Sequence, residues 1–128
     1  MKDVTDLEVY NRSLILLEPI CRLVSLLPKN EYETKSQLLN AAKSIAPLIT
    51  EGFAKRRSQR EFRRFLEMAL GSSDEVITHI RVIKIVKYSN IKDKTCDALI
   101  GNYKIVSKQI NSLIKTVTQN INNPESDI

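Results

Sequence analysis

A chain of 128 residues fits one hydrophobic core, the size typical of about 100 to 150 residues. Its 42% of hydrophobic residues can fill such a core, and three Gly and four Pro are too few for a turn-rich β protein, which leaves helices as the expected framework. Six of the 20 Lys and Arg but only one of the 15 Asp and Glu lie between Lys55 and Arg64, so the rest of the chain balances and the net charge of +5 belongs to one decapeptide.

The two cysteines, Cys21 and Cys96, are too few for a disulfide framework, and Cys21 falls inside an apolar repeat, so both read as reduced thiols. The first residues, "MKDVTDLEVYNRS", carry charges ahead of any apolar run and offer no small-residue cleavage site, so no signal peptide is expected. No segment reaches the roughly 20 apolar residues of a membrane span. Together these features predict a cytoplasmic protein with no membrane partner.

The first predicted helix opens at Thr5, where "TDLE" has the form of a capping box, and stops near Leu27, ahead of Pro28. Leu7, Tyr10, Leu14, Leu17, Cys21 and Val24 make one apolar stripe along it, and Leu16, Ile20, Leu23 and Leu27 a second. Pro19 predicts a kink, since an internal proline costs about 3 kcal/mol. After a polar turn, "TKSQ" (Thr34 to Gln37) predicts the cap of a second helix, with Leu38, Ala42, Ile45, Ile49 and Phe53 facing inward. Pro47 inside that pattern predicts a second bend or a local break.

Ser58 and Glu61 in "SQRE" mark the start of a third helix of about 30 residues, some 45 Å long. Its inward positions are expected along Phe65, Ala69, Ser72, Val76, His79, Ile83 and Val86, with Leu66, Leu70, Ser73, Ile77 and Ile80 beside them. The small residues Ala69, Gly71, Ser72 and Ser73 would admit a close neighbour. A fourth helix follows, carrying Leu99, Tyr103, Val106, Ile110, Leu113 and Val117 in the same rhythm. Residues 119–128 have low hydrophobicity and are expected to be a disordered tail beyond a domain of residues 1–118. Four long amphipathic helices with short links predict an all-α, antiparallel up-and-down four-helix bundle. The surplus stripes on helices one and three predict an oligomer.

"DLEVY", then Ser44 and Ile45 followed by "EGFA", then "SQREFRRFLEMALGSSDE" from Ser58 to Glu75 resemble a bacterial four-helix bundle family. That family is known from proteins encoded in intervening sequences of large-subunit ribosomal RNA genes, and is related to the accessory variability determinant of diversity-generating retroelements. The resemblance spans roughly residues 6 to 118. Its most specific part matches Ser58, Glu61, Phe62, Arg64, Phe65, Leu66, Ala69, Gly71, Ser72 and Glu75. It implies a homopentamer without enzymatic activity, and the retroelement relatives imply contact with a reverse transcriptase and nucleic acid. The chain departs from the family pattern at Pro47, Leu48, Ile77 and His79.

The charge cluster gives the candidate site: Lys55, Arg56, Arg57, Arg60, Arg63 and Arg64 at the junction of helices two and three, joined by Lys104, Lys108 and Lys115 on one face of helix four. With Phe62 and Phe65 inward, Arg60 and Arg64 point outward. Glu67 is placed to pair with Arg63 or Arg64 and so to make part of the cluster structural. Aromatic residues are 5% of the chain and Trp is absent, which disfavours base stacking and favours phosphate recognition on structured RNA or duplex.

Glu51, Glu61 and Glu75 are expected in structural polar pairs, with Glu51 and Glu75 reaching Arg across helices or subunits. The sole histidine, His79, lies four residues after Glu75, and one histidine cannot supply the paired Glu-x-x-His ligands of a bundle metal site. No metal, cofactor or catalytic set is therefore expected, and His79 reads as a core residue. The competing role is a protein-interaction scaffold, such as an accessory subunit of a reverse transcriptase, with little nucleic-acid contact.

Overall fold

The computed structural model describes residues 2–124. After a 3-10 turn at Val4–Asp6 come α1 (Glu8–Ile15), α2 (Leu17–Leu26), α3 (Tyr32–Ala54), α4 (Gln59–Val86) and α5 (Asp93–Asn122). Helices α1 and α2 form one interrupted rod, so the described residues build four antiparallel rods and contain no strand. The α3–α4 and α4–α5 contacts are the most extensive, while α1 packs on both α3 and α5. This is the helical bundle that the periodicity predicts.

The first rod starts differently from expectation. Thr5 does not cap α1, whose N-cap position is Leu7 without a side-chain bond; Asp3 instead caps the 3-10 turn leading into it, its carboxylate accepting from the Val4 N–H at 2.8 Å while Asp6 accepts from the Asp3 N–H at 3.2 Å. Thr5 is drawn into this turn by donating to Asp3 Oδ2 at 2.8 Å. An acid three residues from an acid works as the box because either carboxylate accepts a backbone N–H as well as a hydroxyl does. The interruption falls at Leu16, three residues before Pro19. Proline lacks the N–H that would bond the Ile15 carbonyl and its ring crowds that same group, so the chain breaks one turn upstream of the ring.

Helix α3 begins at Tyr32, and Thr34 donates its hydroxyl to Glu31 at 3.1 Å instead of capping the backbone. Pro47 does not break the helix, which runs unbroken through it to Ala54. Ser58 caps α4 as predicted, accepting from the Glu61 N–H at 3.2 Å. Glu61 does not complete the box, because Arg64 holds its carboxylate. Lys87 ends α4 in the left-handed conformation at φ 65°, the geometry of a helix C-cap.

Helix α4 buries Phe62, Phe65, Leu66, Ala69, Ser73, Val76, Ile77, Ile80 and Ile83, which mixes the two predicted stripes. Ser72 and His79 sit on its flank, and Val86 is 52% exposed, so these three leave the inward set. Small residues do bring neighbours close, through serines: Ser44 Oγ of α3 lies 2.7 Å from Ser72 Oγ, and Ser73 Oγ lies 2.8 Å from Ser107 Oγ of α5. Gly71 takes no part, with nothing within 4 Å of where its Cβ would be. The tight approach is at Gly52, whose Cβ would stand 2.9 Å from Phe65 Cβ.

Helix α5 continues through residues 119–122, which composition assigned to the tail. Residues 125–128 of that predicted tail lie outside the described residues. Several large apolar side chains stay exposed: Leu14, Ile15 and Leu26 on the first rod, and Met68, Val82, Ile85 and Val86 on α4. No helix among the described residues is long and apolar enough to cross a membrane.

Candidate nucleic-acid interface

The basic decapeptide folds into the tight α3–α4 link and the first turns of α4. The link closes through backbone bonds from Lys55 to Glu51, from Arg56 to Phe53 and from Ser58 to Lys55. Its six cations divide into two groups. Lys55 pairs with Glu51 at 3.3 Å and lies over the Phe65 ring at 5.3 Å. Arg56 donates to the Phe53 carbonyl at 2.9 Å and stacks on that residue's ring at 4.0 Å. Arg64 grips Glu61 with two nitrogens, at 2.9 and 3.4 Å, and covers Phe65 at 4.5 Å. Its guanidinium holds the Glu61 carboxyl below the ordinary range, and the carboxylate in turn raises Arg64.

These three cations therefore close the end of the core, over the edge-to-face pair of Phe53 and Phe62 with ring centres 6.4 Å apart. Arg57, Arg60 and Arg63 make no ion pair among the described residues. Arg57 and Arg60 are exposed, Arg63 half-buried. The expected pairing of Glu67 with Arg63 or Arg64 does not form: Arg64 is held by Glu61, three residues before it, and Arg63 makes no ion pair among the described residues.

Glu51, Glu61 and Glu75 all pair locally, with Lys55 at the end of α3 and with Arg64 and His79 within α4. Within the chain none bridges two helices, because each finds a basic partner three or four residues on, closer than any other rod. His79 is bonded to Glu75 at 3.2 Å on the flank of α4, so it is not a core residue. Among the described residues no group of His, Cys, Asp and Glu could hold a metal ion.

Of the α5 lysines, Lys104 and Lys108 line a groove away from the junction. Ser73–Ser107 and the Asn120–Gln59 bond at 3.0 Å fix the antiparallel register of α4 and α5, and Lys115 lies between those two crossings. Lys104 and Lys108 stand further along, across from Arg81, in a groove of about 450 Å³ that also takes in Asp74, Thr78 and Asn111. Arg81 lies outside the decapeptide in which the net charge concentrates, so charge clustering does not pick it out. The readable signal was its distance from Arg63: 18 residues is five whole turns, so both point the same way.

The fold and this surface define a small all-helical bundle with unpaired cations gathered along α4 and α5. Residues 5–112 match the family described as 23S rRNA-intervening sequence protein, and the chain belongs to that family. No curated protein matches the chain in sequence.

Proposed function

We propose that this protein is a non-enzymatic, oligomeric nucleic-acid-binding protein of the cytoplasm, and that it grips structured RNA or duplex through phosphate contacts made by the α3–α4 junction. The observation that carries this reading is the trio Arg57, Arg60 and Arg63, left without carboxylate partners at the N-terminus of a 28-residue helix. Positive side chains are unfavourable at that end of a helix dipole, and only Glu61 offsets them in the first turn. A bound phosphate reverses the sign of that interaction, because exposed N–H groups and cations then face an anion. Membership of a family named for ribosomal RNA intervening sequences agrees with an association with nucleic acid. The exposed apolar side chains of the first rod and of α4 support self-association, for which the homopentamer is the assembly we favour.

The test is fluorescence anisotropy of labelled structured RNA and duplex DNA across a salt series, with the Arg57→Gln, Arg60→Gln, Arg63→Gln triple variant alongside. Phosphate binding gives a steep loss of affinity with salt, and the variant lowers the slope by about 3. Absence of binding at low salt by protein with an intact oligomer would refute the reading. The same exposed apolar surface favours the second reading, a scaffold for an acidic protein such as a reverse transcriptase. Attachment through an apolar interface would change little with salt.

A further inference from the structure

The groove between α4 and α5 extends the junction into a continuous track. Helical rotation of 100° per residue puts Arg63 and Arg81 in the same direction and Arg60 within about 60° of them. On α5, Lys104, Lys108 and Lys115 fall within about 40° of one another, and the groove places the first two beside Arg81. None of these six makes an ion pair among the described residues. From Arg60 to Arg81 the track runs about 32 Å, on the order of one turn of a double helix. Beyond it Lys84 and Lys87 are already tied to Asp97 and Asp93, at 2.7 and 2.6 Å, which closes the track at that end.

The track is not purely cationic, and that decides its ligand. Asp74 lines the groove among the cations, together with Thr78 and Asn111, and one of its oxygens accepts from Ser107 at 2.8 Å. A carboxylate repels phosphates but accepts a hydrogen bond from a hydroxyl, and an amide can do either. A ligand that offers phosphates and hydroxyl donors together is RNA, whose double helix presents 2′-hydroxyls across a wide, shallow minor groove. The scarcity of aromatic side chains argues against splayed single strands.

We infer that the α4–α5 groove, with Arg81, Lys104 and Lys108 on phosphates and Asp74 and Asn111 on 2′-hydroxyls, is a docking surface for double-stranded RNA. This rests on the nucleic-acid reading above and names the substrate of that same surface. The experiment compares RNA duplex, DNA duplex and single-stranded RNA of one sequence, each about 12 base pairs or nucleotides long to match one turn. They are titrated across salt into the full chain, into the Arg81→Gln, Lys104→Gln, Lys108→Gln variant and into Asp74→Asn.

The expected result is preference for RNA duplex, a salt slope reduced by about 3 in the triple variant, and tighter DNA binding with a narrowed RNA preference in Asp74→Asn. Equal affinity for RNA and DNA duplexes would overturn the choice of RNA. A triple variant that keeps the wild-type slope, while the junction variant loses binding, would overturn the groove and leave the broader function standing. Failure of the wild-type chain to bind any of the three would remove both.

Discussion

Gly52 marks the point where α3 presses hardest on α4. A methyl group there would meet Phe65 Cβ at 2.9 Å and the Phe62 carbonyl oxygen at 3.3 Å, and neither can swing away, because one is a β-carbon and the other is backbone. Alanine gains about 1 kcal/mol over glycine in helix propensity, while overpacking a core typically costs about 1–3 kcal/mol. The contact lies directly beneath the Phe65 ring that Lys55 and Arg64 cover, so forcing the helices apart also loosens the junction. We expect Gly52→Ala to lower stability by up to about 2 kcal/mol, read as a lower urea midpoint with an unchanged slope. An unchanged or raised midpoint would show that the interface yields without strain.

At the scale of the element, the start of α4 depends on one hydroxyl. Ser58 satisfies the Glu61 N–H in a turn already burdened with like charge, so Ser58→Ala should cost about 1 kcal/mol in denaturant unfolding. A loss below a few tenths would mean that backbone closure of the link suffices. This cap was legible from sequence because serine and glutamate stood immediately before an apolar run. Four long rods were legible for the same kind of reason, since a repeat of three and four residues survives any tertiary context.

Less legible was whatever depended on choosing among several acceptable partners. Thr5, Thr34 and Glu61 each had the right spacing for a box, yet Asp3, Glu31 and Arg64 offered these side chains a nearer partner. Pro19 and Pro47 look alike in sequence, but only the first is associated with a break. The candidate site was half legible: local charge density found the junction and the five-turn spacing from Arg63 marked Arg81, while its meeting with Lys104 and Lys108 needed the register of α4 against α5.

For the whole molecule, the unsettled surface is the apolar one. Met68, Val82 and Val86 fall on one face of α4 with Ser72 and His79 between them, on the side where α4 meets α3 rather than on the cationic track. Fourteen residues separate Met68 from Val82, close to four turns, so an opposing helix could contact both at once. Such a face, 44% to 52% exposed at each of its three large side chains, fits burial against another copy, with the cationic groove left open to solvent.

Met68→Glu with Val82→Glu would place two charges in that contact while leaving the bundle core untouched, since neither residue is buried in the chain. Light scattering should show the wild-type chain at five times its 14.6 kDa and the variant at lower mass, with helical content unchanged by circular dichroism. A variant that keeps its mass would move the interface to Leu14, Ile15 and Leu26 on the first rod. Because the cations lie on another face, dissociated variant protein should still bind nucleic acid, only less tightly, as avidity from several copies is lost.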